Sequence, residues 1–370
     1  MDFLLDDEQQ ALADAVRGLL KGYDAEKRRT VTEDDPGFDE EMWKKLADMG
    51  VLGLPYPEDV GGSGAGPVEV AVVAEELGKV TAPEPFVEAV VFAGGLIAAC
   101  GTAEQKQEHL AAISDGSVLP AVAWHAPDGS GEGVTVNDDG TLSGTKEPVL
   151  NGARADLLVV LAGGRLFLVS GADVDSHGSR TSYRTVDGLR AAEVVFDQTP
   201  ATPLGDGSDM SESFRTIAAI ARIAYGHEAL GLMDTALRLT TSYLTTRKQF
   251  GVTLNTFQAL TFRAADMYTS LELTRSIVTW ATMVLADSSS TPAKVREAAF
   301  RSKLQVSKAG RHIGQEAIQL HGGIGMTMEY AVGHITARLT AIDHTLGDGR
   351  DMVAALSTSL TDHGVVEPLP

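Results

Sequence analysis

The chain has 370 residues, which is enough for two or three compact units around a large hydrophobic core. Its 44% hydrophobic content is typical of a globular protein, and its net charge of −21 excludes nonspecific binding to nucleic acid or anionic membranes. The single cysteine, Cys100, excludes an intramolecular disulfide framework. Because we find neither a signal peptide nor an apolar run long enough to span a bilayer, we expect a cytoplasmic protein.

Residues 1–117 are predicted to form an α-helical domain. Apolar residues recur at helical spacing near the N-terminus, as at Leu12, Val16 and Leu19. A second helix is predicted to stop at Gly50, which suits a left-handed C′ position. The predicted helices, the last of them capped by Thr102, are Phe38–Met49, Val68–Leu77, Ala89–Cys100 and Ala103–Ile113.

Residues 118–205 are predicted to form an antiparallel β domain, either a barrel or a sandwich, with six or seven strands. Apolar residues there alternate or come in short runs, and turn-forming sequences separate the runs. The clearest hairpin turn is NDDG at Asn137–Gly140.

Residues 206–370 return to helical spacing and are predicted to form a C-terminal bundle of four or five helices. The predicted breaks are at Gly251, at the SSSTP sequence that ends with Pro292, and at HGGIG, which spans His321–Gly325. The order of the chain is therefore α, β, α.

Common catalytic signatures are missing from the sequence. It has no complete GxGxxG, no Walker A motif and no GxSxG. His227-Glu228 lacks a second histidine at metalloprotease spacing, and the nine histidines are scattered. We therefore expect no metal site.

The stretch RKQFG at the first break carries a fixed cation, Arg247, next to Gln249, Phe250 and Gly251. A guanidinium binds phosphate oxygens in a planar fork, and glycine allows the backbone to approach a ligand closely. These residues suit a diphosphate joined to a flat ring system. A helix–helix corner with a solvated Arg-Lys pair is the alternative interpretation of the same residues.

Antiparallel helices of a bundle return the chain to the same end. About seventy residues and two long helices separate RKQFG from QLHGGIG, so the two breaks are predicted to meet on one surface or across a dimer axis. An anionic cofactor could bind there.

The domain order, the motif RKQFG followed by FQ, and the motif IQLHGGIGMTMEY resemble the acyl-CoA dehydrogenases along essentially the whole chain. The resemblance implies FAD between the β domain and the C-terminal bundle, with its adenosine and diphosphate held across a subunit interface. The positions that match the family's FAD-binding residues are Arg247, Gln249, Phe250, Phe257, Gln258, Gln319, Gly322 and Gly323.

The same resemblance implies α,β-dehydrogenation of an acyl thioester, in which a carboxylate takes the α proton. The family's position for this base falls at Leu346, and the alternative position, before Arg222, falls at Ala221. Neither residue is acidic. Asp343 and Asp348 are nearby and are weak candidates for a displaced base.

The segments that touch the flavin ring in the family also differ here. Pro148 and Leu150 stand where the family has tryptophan and threonine. The chain therefore resembles the base-less subunit of α2β2 acyl-CoA dehydrogenases, which would complete the FAD site of a catalytic paralogue and pass electrons to an electron-transferring flavoprotein. The alternatives are a self-sufficient homo-oligomeric dehydrogenase with a displaced aspartate, and a flavin-free interaction protein with the same fold.

Overall fold

The computed structural model of the protein describes residues 5–129, 132–327, 329–358 and 360. Its N-terminal part is helical. The elements are α1 (Asp7–Leu19), α2 (Ala25–Glu33), α3 (Glu40–Asp48), α4 (Pro67–Lys79), a π-helical segment (Phe86–Gly94), α5 (Gly95–Cys100) and α6 (Ala103–Ser114).

Local capping explains where these helices begin and end. Gly50 follows α3 with φ of 81°, as the sequence predicted. Thr102 and Gln105 form a capping box at the start of α6. Helix α2 was not predicted because AEKRRTVTE has no apolar stripe; this helix buries Arg28 and Thr32 instead.

The π-helical segment begins three residues before the predicted helix. The hydroxyl of Tyr56 donates a hydrogen bond of 2.7 Å to the carbonyl of Val90. A side chain at Gly94 would place its Cβ 1.8 Å from that hydroxyl, so only glycine fits there. The Tyr56 side chain therefore inserts into the segment and hydrogen-bonds one of its carbonyls. Insertion of a side chain into the helical hydrogen-bond ladder is a recognised cause of irregular helical geometry.

The middle region contains β1 (Pro120–Ala123), β2 (Val134–Val136), β3 (Leu142–Leu150), β4 (Leu157–Ala162), β5 (Arg165–Ser170), α7 (Gly171–Ser176), β6 (Gly178–Arg184), β7 (Arg190–Thr199) and β8 (Thr202–Pro203). Among the described residues, these strands form two four-stranded sheets, ordered β1-β4-β5-β8 and β2-β3-β7-β6. The predicted turn after Asn137 joins β2 to β3.

One strand pairing corrects the expectation of a purely antiparallel domain. β1 and β4 are parallel, with Pro120 opposite Leu157 and Ala123 opposite Val160. Between β1 and β4 the chain passes through β2 and β3 of the other sheet. It then returns to the first sheet, where β4 runs in the same direction as β1. The sequence alone could not reveal this crossing.

The C-terminal region contains α8 (Ser211–Thr246), β9 (Lys248–Gln249), β10 (Val252–Thr253), α9 (Gln258–Ala286), α10 (Pro292–His321), α11 (Ala331–His344) and α12 (Gly349–Ser357). The proline predicted in the first turn of α10 is present, and Thr291 caps this helix. Helices α8, α9 and α10 pack together as the bundle. No helix among the described residues is long and apolar enough to cross a membrane.

Candidate functional site

A cleft of about 600 Å³ separates the β-sheet region from the C-terminal helices. Trp124, Pro148 and Leu150 form its β-side wall, and Arg222 of α8 and Leu346 of the α11–α12 loop line the other side. The segment with Pro148 and Leu150, which differs from the family's ring-binding pattern, therefore lies opposite the loop where the base was expected.

Leu346 is buried, with 3% of its surface exposed, and its backbone has φ of 59°, which is uncommon outside glycine. Two cations hold the loop in place. The Nε of Arg222 donates to the carbonyl of Leu346 at 2.8 Å, and the Nζ of Lys303 donates to the carbonyl of Thr345 at 2.9 Å. The loop therefore presents an aliphatic side chain to the cleft in a fixed position.

The other proposed base positions lie outside the cleft wall. Ala221 is buried and aliphatic. Asp343 accepts a hydrogen bond of 3.3 Å from Arg311. Asp348 caps α12, where the backbone N–H of Asp351 and then that of Arg350 hold the pKa of Asp348 below its usual range. The structure gives each aspartate a partner away from the cleft.

A buried charge cluster that the sequence analysis missed lies at the floor of the cleft. Arg338 of α11 contacts Glu228 of α8 through two hydrogen bonds, of 2.6 and 3.0 Å. The same guanidinium lies 3.1 Å from Glu88 of the π-helical segment and 3.1 Å from Asp187 of the β6–β7 turn. We call these four residues the Arg338 cluster. The sequence did hold one indication of this cluster, since Glu88 lies within the apolar run FVEAVVFAG. A buried acid needs a buried partner.

The residues of the first FAD-related motif lie at the far end of α8. Arg247 caps this helix, and the β9–β10 hairpin follows, with its turn at Phe250 and Gly251. Phe250 is 91% exposed and makes an edge-to-face contact with Phe257, with ring centroids 6.2 Å apart. None of the described acidic side chains forms an ion pair with Arg247. The predicted helix–helix corner is present, and its cation and aromatic rings face solvent.

The second motif lies at the same end of the bundle. Tyr243 of α8 stacks on His321 of α10 with ring centroids 4.6 Å apart, and Gly322 and Gly323 follow directly. A Cβ built at either glycine meets no atom within 4 Å, so the backbone there is open. The exposed predicted residues at this end, which we call the nucleotide corner, are Arg247, Gln249, Phe250, Phe257, Gln258, Gln319, Gly322 and Gly323.

The nucleotide corner and the cleft are far apart within one chain. Arg222 at the cleft and Arg247 at the corner are separated by twenty-five residues of continuous helix, or about 37 Å at 1.5 Å per residue. That distance exceeds the reach of one dinucleotide. An open backbone, an unpaired guanidinium and exposed aromatic rings suit the diphosphate half of a dinucleotide whose ring end lies elsewhere.

Two family models match the chain. The N-terminal domain of acyl-CoA dehydrogenase matches residues 6–117, and its C-terminal domain matches residues 212–354. The chain belongs to the acyl-CoA dehydrogenase family. Members of this family use FAD and oxidise acyl-CoA thioesters. The protein is therefore an oxidoreductase of the acyl-CoA class.

The relatives and solved structures agree with the family assignment. The chain is 30% identical to the probable acyl-CoA dehydrogenase YngJ of Bacillus subtilis (strain 168), over 90% of this chain and 92% of that protein. It resembles a chain of the ChsE4-ChsE5 complex of Mycobacterium tuberculosis, with a TM-score of 0.89, 25% identity and coverage of 99% and 100%. A variant of the Tcur3481-Tcur3483 steroid ACAD has a TM-score of 0.86, 31% identity and coverage of 96% and 98%.

Proposed function

We propose that this chain is the non-catalytic subunit of an α2β2 acyl-CoA dehydrogenase and that it completes the FAD site of a catalytic paralogue. The observation that carries the proposal is the side chain at Leu346. It lies in the cleft wall, in a loop fixed by Arg222 and Lys303, and it cannot accept a proton. The family resemblance assigns the base to this position.

Dehydrogenation needs a carboxylate within hydrogen-bond reach of the substrate α carbon. Glu88, Asp187 and Asp351 do line the cleft, but Arg338 pairs with the first two, and Asp351 accepts the backbone N–H of Asp348 in the capping box of α12. A buried carboxylate that is bonded to a guanidinium could reach a substrate only by breaking that ion pair, which is costly. Asp343 accepts from Arg311 through Oδ2, Asp348 caps α12, and neither side chain lines the cleft, so neither is placed to act as a displaced base.

The residues of the nucleotide corner support the second part of the proposal, that this chain binds part of a partner's FAD. Arg247 would pair with the diphosphate, the open backbone at Gly322 and Gly323 would let the diphosphate approach closely, and Phe250 and Phe257 would cover a flat ring. When bound, FAD supplies the hydride acceptor. Since the corner lies about 37 Å from this chain's own cleft, the diphosphate that it holds would belong to the neighbouring subunit's cofactor.

Two of the similar solved structures support a complex of two different chains. The ChsE4-ChsE5 complex and the Tcur3481-Tcur3483 steroid ACAD are each named for two different proteins. A flavin-free interaction protein would have no need for an unpaired arginine beside an open glycine backbone. By the same family resemblance, an electron-transferring flavoprotein would accept the electrons from the assembled complex.

The test is to purify the chain alone and together with a paralogue that carries the base carboxylate. Alone, it should carry little FAD and show no acyl-CoA oxidation. Together, the two chains should co-purify in equal amounts and with about one FAD per pair of chains. A yellow chain that turns over acyl-CoA unaided would refute the proposal and favour the homo-oligomeric enzyme.

A further inference from the structure

The outer face of helix α9 is exposed to solvent, yet almost no charged side chain lies on it. Phe262 and Leu273 are 59% and 60% exposed, and Trp280 is exposed as well. Of the twelve exposed positions of α9, only Asp266 is charged. On α1, by contrast, four of the eight exposed positions are charged. Depletion of charge and enrichment of aromatic residues are typical of surfaces that contact another protein.

The residues along the middle of this face follow the spacing of a helix-packing seam. They recur at alternating intervals of four and three residues, and the set is Phe262, Asp266, Thr269, Leu273, Ser276 and Trp280. The resulting period of about 3.5 residues keeps one stripe of a helix facing a second helix that runs along it. We call these six residues the α9 seam. At 1.5 Å per residue the seam is about 27 Å long.

The α9 seam begins next to the nucleotide corner. Gln258 is the first residue of α9, and Phe262 lies one helical turn later on the same side. In the proposed function, the diphosphate at the corner belongs to the neighbouring subunit's FAD, so the body of that neighbour must lie against the adjoining surface. The seam is therefore placed to contact the chain whose cofactor the corner would hold.

Asp266 distinguishes between the possible occupants of the seam. None of the described side chains forms an ion pair or a hydrogen bond with its carboxylate. A second copy of this chain would pair through the same face, because a twofold dimer uses one surface on both subunits. Both cations of α9 are already bonded, since Arg263 donates to Glu316 at 3.0 Å and Arg275 donates to Glu75 at 3.3 Å. A second copy would therefore bury Asp266 without a free cation on the facing helix.

We infer that the α9 seam docks a helix of the catalytic paralogue and that Asp266 selects this partner over a second copy of this chain. The facing helix would carry apolar residues at the same period and a lysine or arginine opposite Asp266. A single polar or charged residue in an apolar seam specifies the partner in helix pairs, although it lowers stability. The inference rests on the proposed function, because it names the surface and the chemistry through which the two chains recognise each other.

Calorimetric titration of the purified chain with the purified catalytic paralogue tests the docking role of the seam. Leu273→Asp places a second, unpaired carboxylate in the seam and should weaken the association by about a hundredfold or more. Tyr268→Asp is the matched control, since Tyr268 is 57% exposed on the same helix but lies about 140° around it from Leu273. Its affinity should stay within about threefold of wild type. Equal effects in both variants, or none in either, would overturn the inference.

Asp266→Asn tests the choice of partner. The amide carries no charge, so the facing cation loses its partner and the affinity for the paralogue should fall by about tenfold or more. The variant alone should self-associate about tenfold more tightly than wild type in analytical ultracentrifugation, because it no longer buries an unpaired carboxylate. Ser276→Ala, in the same seam, is the control and should change neither affinity. If either affinity of Asp266→Asn equals that of wild type, Asp266 does not select the partner.

The two proposals fail in distinguishable ways. If wild type forms an active FAD complex with the paralogue and Leu273→Asp leaves that complex intact, the docking role of the seam is refuted and the proposed function is not. If Leu273→Asp instead abolishes pairing between copies of this chain, a second copy is the occupant and the inference is wrong. Failure of wild type to assemble with a catalytic paralogue would refute the proposed function itself.

Discussion

Tyr243 and His321 stack with their ring centroids 4.6 Å apart, and this contact joins the ends of two helices that are distant in sequence. The ring of Tyr330 also contacts His321, with ring centroids 5.0 Å apart. Tyr243 is one helical turn before Arg247, and His321 directly precedes Gly322. The stack therefore fixes the guanidinium and the open glycine backbone relative to each other.

Loosening that stack should weaken flavin binding without preventing assembly. We expect Tyr243→Leu to reduce the FAD affinity of the complex by about tenfold, because losing an aromatic contact of about 1 kcal/mol also frees the position of Arg247. Fluorescence titration of the flavin-free complex measures this. Tyr243→Phe keeps the ring and serves as the control. Equal losses in both variants, or none in either, would argue against the positioning role.

Arg247 should contribute more than its supporting stack. A hydrogen bond to a charged group contributes about 1.5–3 kcal/mol, so Arg247→Ala should lower the FAD affinity of the complex by about ten- to a hundredfold. Arg215→Ala, at the exposed opposite end of α8, is the matched control. If flavin content is the same in both variants, the nucleotide corner does not bind the cofactor.

Carboxylates of this chain should not act as the base of the complex. Asp348→Ala, Asp343→Asn and Glu88→Gln should each leave kcat per FAD within about twofold of wild type. Glu88→Gln should also destabilise the fold, by roughly 1–3 kcal/mol, because Arg338 loses a charged partner. A fall in kcat of a hundredfold or more with any one variant, at unchanged FAD content, would identify that residue as the base.

Much of the fold was predictable because its signals are local. The spacing of apolar residues predicted the long helices, and Gly50, Thr102 and the NDDG turn predicted particular ends. The acyl-CoA dehydrogenase fold predicted from the sequence is confirmed by the family models. The parallel pairing of β1 with β4 was not predictable, because it depends on a crossing between sheets.

The functional site was likewise predictable only in part. The residues of the nucleotide corner belong to contiguous motifs, so the sequence could indicate them; their role in binding FAD stays a prediction. The Arg338 cluster joins residues 88, 187, 228 and 338, which no local pattern connects. Only the three-dimensional arrangement shows that this cluster borders the same cleft as Leu346.

A buried acid away from the cleft predicts how stability depends on pH. Burial raises the pKa of Glu84 to about 7, and its Oε1 accepts from the hydroxyl of Tyr23 and the N–H of Asp39. The folded state therefore binds this proton more tightly than the unfolded state does. The resulting stabilisation is complete below about pH 4.5 and is lost as the pH rises to about 7.

Glu84→Gln should remove this pH dependence. Relative to the variant, the wild type should lose about 2.5 kcal/mol of unfolding free energy between pH 5 and pH 8. Urea unfolding at several pH values measures the difference, and comparing the two proteins cancels the contribution of other groups. A difference that stays constant across this range would show that Glu84 does not hold a proton in the folded state.

The most direct measurement of the central claim uses a complex with one altered subunit. The wild-type chain is assembled with a catalytic paralogue whose base carboxylate is changed to the amide, and acyl-CoA oxidation per FAD is measured. We predict full FAD content and a background rate of acyl-CoA oxidation, because Leu346 provides no second base. Oxidation at more than a few per cent of the wild-type rate would contradict it.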